Sequence, residues 1–286
     1  MFQVESRSMI FELPTEDLYD FPGHPYHLRD GPELQALRNS IRKNGVLSPV
    51  LVRTSTQGYE MISGHRRVHI CRELGLKTVP AVVCSIPWEE AAIRVVDSNL
   101  HRSNLLPSEK AFAYRLKMNA LRHQGQRTDL TSDQLDRKLE SAEVIAKQQG
   151  ESPSQVRRYV RLTMLNGDLL QMVDDKVIPF TTAVNLSYLA DDQQRWVLEA
   201  MLSYDRIPTR EQSALLKMQA QAGELTKEFV LDLLGQENAD KEETLSIPMA
   251  ELRPYFPTDY TKDQIREEIL RLCKERCDES RSVRLI

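Results

Sequence analysis

The 286-residue sequence is short of glycine, at 11 positions, and of aromatic side chains, at 6%. That makeup favours helices, and the length suits two domains plus a smaller third piece. The four cysteines, Cys71, Cys84, Cys273 and Cys277, fall in distant pairs without a metal-finger arrangement. Free thiols in a cytoplasmic chain are the simplest reading. Neither a signal peptide nor a membrane-length apolar run is visible, so no membrane partner is expected. An excess of basic charge is also missing, with 38 Lys and Arg against 42 Asp and Glu. Contact with phosphate would therefore depend on a local patch. No internal repeat occurs, and no acidic metal cluster supports a nuclease.

Against these absences stand three ordered signals: Ser63-Gly64-His65-Arg66-Arg67, Asp97-Ser98-Asn99-Leu100-His101-Arg102, and a helix-turn-helix pattern from Ala142 to Leu162. Tyr59-Glu60-Met61-Ile62 alternates like a strand, while Val68, Ile70, Cys71 and Leu74 suit the inner face of a helix. Gly64 then sits where strand turns into helix, allowing close backbone approach to a ligand at free N–H groups and the positive dipole end. Arg66 and Arg67 add forked donors suited to phosphate oxygens. A capped surface helix with two solvated arginines is the alternative. Upstream, Leu34, Leu37 and Ile41 form a helical face that stops near Asn44-Gly45, and Val46 to Val52 enters a buried strand.

The third signal stands on its own. Ala142, Ile145 and Ala146 give one helix a compact inner face, and Gly150 ends it. Ser152 is a good N-cap for the next helix, Pro153 suits its first position, and Gln155 completes a capping-box pattern. With Val156 and Val160 inward, Ser152, Ser154, Gln155, Arg157, Arg158 and Arg161 are the candidates for phosphate and base edges in a major groove. A plain helical hairpin is the alternative. Helical patterning continues through Leu169, Leu170 and Val173, then from Phe180 through Ala183, Leu186 and Leu189. Lys176 and Thr181 are expected to have ordinary surface roles.

The remaining organisation is read from composition. Gln124 to Asp129 joins a long Ser108 to His123 helix to the helix-turn-helix. Residues 191–235 form a helical extension, 236–247 a polar linker, and 248–286 a helical segment bearing Ile265, Ile269, Leu272 and Cys273. That stripe must pack on its own chain or on another copy.

Taken together these motifs resemble the ParB-type (ParB/RepB) partition proteins, over roughly residues 5 to 190. Gly45 to Pro49, Gly64 to Arg67 and Ser98 to Arg102 match, in order, the family's three nucleotide-lining segments, and Asn104 to Glu109 matches its helix entry. Ser-Gly-His-Arg-Arg and Asp-Ser-Asn-Leu bring the chain closest to partition-like proteins of conjugative transposons and plasmids. The resemblance implies an α+β ParB/sulfiredoxin-like nucleotide domain at 1–106, an all-α helix-turn-helix domain at 107–190, and a helical carboxyl-terminal region. It further implies CTP held by Gly45, Ser48, Pro49, Gly64, His65, Arg66, Arg67, Asn99 and Arg102, and Mg2+ near Asn99.

Three departures bear on mechanism. His65 replaces a Glu, Ser98 replaces the Glu beside Asn99, and His101 replaces a Gln. Mg2+ prefers carboxylate or carbonyl oxygen, so Ser98 is a poor ligand and Asp97 is the substitute candidate. His101 is the one candidate for orienting a hydrolytic water, at most for weak CTPase activity. The implied function is a cytoplasmic, nucleoid- or plasmid-associated homodimer on double-stranded DNA: a CTP-gated clamp that recruits a ParA-type ATPase. A nucleotide-independent transcriptional regulator is the alternative. A sulfiredoxin-like enzyme is remote, because Gly64 occupies the place of the required cysteine.

Overall fold

The computed structural model describes residues 9–102, 105–126, 134–236, 247–257 and 260–282. The chain divides into two compact units, Met1–Gly235 and Gln236–Ile286. Most of the expected 236–247 linker, and Arg127, Thr128 and Asp129 of the earlier polar stretch, lie outside the described residues.

The first unit begins with a five-stranded mixed sheet of β1 (Ile10–Pro14), β2 (Leu18–Asp20), β3 (Val50–Ser55), β4 (Gly58–Ser63) and β5 (Thr78–Cys84), in the order β1-β5-β3-β4-β2. The β1–β5 and β3–β4 pairs are antiparallel, and the β3–β5 and β2–β4 pairs parallel. Alternation places Val50 and Val52 of β3, and Val79 and Ala81 of β5, in one fully buried layer. Each buried valine contributes about 1.5–3 kcal/mol relative to exposure. Helices α1 (Pro32–Asn44) and α2 (His65–Glu73) close that layer with Leu34, Ile41, Val68, Ile70 and Cys71. The stop expected at Asn44-Gly45 forms, with Gly45 at φ +68° donating its N–H to the Ile41 carbonyl at 2.9 Å.

From α3 (Trp88–Asp97) onward the first unit is all helix, giving the expected α+β part followed by an all-α part. Helix α4 (Pro107–Gln126) runs three residues past His123, because nothing in Gln124-Gly125-Gln126 breaks it. It carries residues of two cores: Ala113, Tyr114 and Met118 join Phe21, Ile62, Val95 and Ile145, while Ala111 joins a distal cluster. The first of these cores spans both sides of position 106. Helices α5 (Gln134–Gln149), α6 (Pro153–Leu162), α7 (Gly167–Asp174), α8 (Phe180–Leu186), α9 (Asp191–Tyr204), α10 (Arg210–Ala222) and α11 (Lys227–Gly235) follow. The second unit holds α12 (Met249–Leu252) and α13 (Lys262–Ser282), where Ile265 is buried, Ile269 half-buried, and Leu272 and Cys273 exposed. No helix among the described residues is long and apolar enough to cross a membrane.

Candidate functional site

Strand β4 ends at Ser63 and α2 starts at His65, so Gly64 forms the junction between them. Its backbone has φ +110°, and a Cβ there would lie 2.5 Å from Val50 Cγ1. The demand for glycine thus comes from the Val50 packing as well as from the turn. The amino-terminal end of α2 opens on a cavity of about 210 Å3, lined by His24, Tyr26, Gly64, His65, Arg66, Arg67, Ser98, Asn99 and Arg102 among others. A second cavity of about 580 Å3 shares His27, Leu28, Arg66 and Arg102 with it and reaches Glu33 and Glu109. Two segments far apart in sequence, 63–67 and 98–102, are therefore brought to one wall.

The two adjacent arginines do different things. Arg67 donates to the Ser48 carbonyl and, at 2.9 Å, to the Pro49 carbonyl, tying α2 to the loop before β3. Burial lowers its pKa. That is where Ser48 and Pro49 enter: they bind Arg67, and neither they nor Gly45 lines either cavity. Arg66 instead faces the shared wall, its guanidinium 3.5 Å from the carboxylate of Glu33, a side chain 82% exposed. Arg102 is exposed and lies 6.0 Å from the Tyr26 ring centroid.

His65 stacks on His24 with ring centroids 3.8 Å apart. Burial, helped by His24 and Arg102, lowers its pKa to about 3. At neutral pH the ring is uncharged, so the 3.8 Å separation between Nε2 and Asp20 is neither an ion pair nor a hydrogen bond. That buried Nε2 has no hydrogen-bond partner among the described residues. Burial lowers the His24 pKa as well.

In the 98–102 segment, Asn99 is buried and donates through Nδ2 to the Val95 carbonyl at 2.9 Å and to Ser98 Oγ at 3.0 Å. Ser98 in turn donates to the Val95 carbonyl at 3.0 Å. Asp97 turns away: its carboxylate pairs with Lys117, which is only 1% exposed and also donates to Gln148 Oε1 at 2.5 Å. A buried ammonium needs that carboxylate, which fixes its direction. His101 is exposed and lines neither cavity. Among the described residues, no group of three His, Cys, Asp or Glu could hold a metal. With Asp97 taken by Lys117 and Ser98 engaged, these donors do not fit Mg2+ held by the protein.

In the helix-turn-helix, Ala142, Ile145 and Ala146 of α5 and Val156 of α6 are buried. Ser152 caps α6, accepting from the Gln155 N–H at 3.1 Å, with Pro153 at the first position. The Gln155 side chain accepts from Arg158 at 3.4 Å, so this part of the capping-box expectation is replaced by a contact along the helix. Ser152 and Ser154 are exposed, and Gln155, Arg157, Arg158 and Arg161 half-buried. Two of these arginines are braced on α8 and its end rather than freely extended. Arg158 donates to Thr181 Oγ1 at 3.0 Å and lies 5.0 Å from the Phe180 ring centroid. Arg161 donates to the Ser187 carbonyl at 2.8 Å. Among the described residues, no carboxylate pairs with Arg157, Arg158 or Arg161.

Sequence reasoning missed His24, Tyr26 and Glu109 as wall builders. Tyr26 donates to the Val96 carbonyl at 3.2 Å, tying the loop after β2 to α3. Glu109, 3% exposed, accepts from the His27 and Leu106 N–H groups at 3.0 Å each and pairs with Arg29. The available signal was a Pro-Gly-His-Pro-Tyr-His run at 22–27, too rich in turn formers and aromatic rings for an ordinary surface loop.

Comparison with known proteins places this geometry. Residues 3–100 match the ParB N-terminal domain. Stage 0 sporulation protein J of Bacillus subtilis (strain 168) is 32% identical over 170 residues, which cover 59% of this chain and 54% of that protein. Chromosome-partitioning protein Spo0J of Thermus thermophilus is 30% identical over 193 residues, covering 68% of this chain and 65% of that protein. The matched segment thus spans between about half and two thirds of these relatives. Among solved structures, C-terminally truncated ParB from Caulobacter crescentus complexed with CTP-gamma-S is 28% identical, covering 64% of this chain and 94% of that one, with a TM-score of 0.30. The chain carries a ParB N-terminal domain within residues 3–100.

Proposed function

We propose that the protein binds double-stranded DNA in a sequence-specific manner through α6, as one half of a homodimer, and serves partition of a chromosome or mobile element. The observation that carries this reading is the row of Arg157, Arg158 and Arg161 on α6, cations without carboxylate partners among the described residues, in a chain of net charge −4. In so acidic a chain, leaving cations unneutralised on one short helix favours an anionic partner. Ser154 and Gln155 stand beside them as base-edge candidates. The curated relatives include a chromosome-partitioning protein.

In the same proposal CTP occupies the pocket at the start of α2, its phosphates met by Arg66 and Arg102 and by the N–H groups after Gly64. Arg67 shapes that site by holding the Ser48-Pro49 loop, Asn99 offers its remaining acceptor, Oδ1, and neutral His65 and His24 wall it. A bound nucleotide would favour closure of two amino-terminal domains around DNA and recruitment of a ParA-type ATPase. A nucleotide-independent regulator has one observation in its favour, the locking of Asp97 onto Lys117. A sulfiredoxin-like enzyme is not favoured: Gly64 stands where its cysteine would be, and Cys71 of α2 is buried, with burial raising its pKa.

The test is selection of bound duplexes from a random-sequence pool by the purified protein, followed by sequencing. Enrichment of an inverted repeat is expected, lost in Arg157→Ala/Arg158→Ala. A pool that remains random would contradict the reading.

A further inference from the structure

Two helices of the first unit bring cations to one aromatic ring at the end of a third. The Arg161 guanidinium of α6 lies 4.1 Å from the ring centroid of Tyr188, the second residue after α8, and the Lys217 ammonium of α10 lies 4.0 Å from the same centroid. Hydrogen bonds fix the frame: Arg161 to the Ser187 carbonyl at 2.8 Å, and Asn185 of α8 to Ser213 Oγ of α10 at 3.0 Å. Arg161 Nε, though buried, has no hydrogen-bond partner among the described residues. Among the described residues, neither Arg161 nor Lys217 pairs with a carboxylate. Lys110 is the internal contrast, since it lies 4.5 Å from the Tyr159 centroid but is neutralised by Glu151.

A ring face attracts a cation, while two cations at the same ring repel each other. Around Tyr188, which is 38% exposed, the fold therefore concentrates positive charge that an incoming anion would relieve. Lys217 lies 55 or more residues beyond Leu162, outside the helix-turn-helix. We propose that Arg161, Tyr188 and Lys217 form a clamp for a backbone phosphate of double-stranded DNA, extending the contact surface from α6 to α10. Lys217 supplies a point charge, Arg161 the charge of a guanidinium held on the Ser187 carbonyl, and Tyr188 positions both. Phosphate carries no base identity, so the clamp strengthens binding to every sequence alike. The inference rests on the duplex-binding reading given above.

The test is fluorescence anisotropy of a labelled random-sequence duplex across a salt series. Lys217→Ala and Lys217→Gln are expected to lower the slope of log K against log salt by about 0.9, the value of one lost phosphate contact. Lys217→Arg restores the slope, and Tyr188→Leu, which keeps both charges, lowers it by less than Lys217→Ala. Lys227→Ala, whose ammonium pairs with Glu199 at 2.8 Å, leaves it unchanged. A wild-type slope in both Lys217→Ala and Lys217→Gln would overturn the clamp, as would an equal fall in Lys227→Ala. Wild-type protein that binds no duplex at any salt would instead overturn the duplex-binding reading, and the clamp with it.

Discussion

The pocket at the start of α2 and the helix-turn-helix handle positive charge in opposite ways. At the pocket, Arg29 is paired with Glu109 and Arg67 donates to two carbonyls, and elsewhere in the first unit Arg53 is paired with Glu60 and Lys117 with Asp97. Among the described residues lining the pocket, Arg66 and Arg102 keep capacity for a ligand, Arg66 against an exposed and swingable Glu33. On α6, Arg158 and Arg161 are braced by ring faces, a hydroxyl and a carbonyl, none of which cancels their charge. Net charge hides this division. A pocket needs one fixed geometry, which paired and buried charges provide, whereas a surface that meets a phosphate rail needs charge held in place yet unneutralised.

The largest expected effect breaks the pocket side. Asp97→Ala leaves the Lys117 ammonium buried without its carboxylate and should cost about 3–5 kcal/mol in denaturant unfolding. Lys117→Met removes the charge itself and should cost far less; equal losses would mean that the ion pair stabilises the fold as a unit rather than that the carboxylate merely compensates a buried charge. Next comes Gly64→Ala, which puts a Cβ into Val50 at a positive φ and should cost about 2–3 kcal/mol. A neutral outcome would show that the junction relaxes.

A pH effect sharpens the same side. His65 has a folded pKa of about 3 against an ordinary value of 6.5, so the unfolded chain binds the extra proton between those values. Stability therefore falls as pH drops below about 6.5, by about 2 kcal/mol at pH 5, and flattens near pH 3. Comparing unfolding at pH 7 and pH 5 in wild type and His65→Gln checks this, since the variant should lose that part of the slope. Smallest is the helix-turn-helix cap, where Ser152→Ala should cost about 1 kcal/mol and weaken duplex binding only through stability.

What the sequence made legible was local. The β4–Gly64–α2 junction, the stop at Gly45 and the Ser152-Pro153 start of α6 all follow from glycine, proline and hydroxyl chemistry within a few residues, together with hydrophobic period. The separate roles of Arg66 and Arg67 were not legible, because Arg67 meets its carbonyl partners across the fold at Ser48 and Pro49. Likewise Asp97 reads as a spare carboxylate beside Asn99 until Lys117, twenty positions on, is seen to require it. The bracing of Arg158 and Arg161 depends on α8, and a helical wheel of α6 alone presents them as free. Tyr26 and Glu109 were missed for the same reason, as each builds the pocket wall through partners 70 or more residues away.

The most direct test of the division of charge is equilibrium binding of labelled CTP to the purified protein, with ATP, GTP and UTP as competitors. Selective CTP binding that is lost in Arg66→Ala/Arg102→Ala and unaffected by Arg157→Ala/Arg158→Ala is the predicted result. No binding, or binding that survives loss of both pocket arginines, would contradict it.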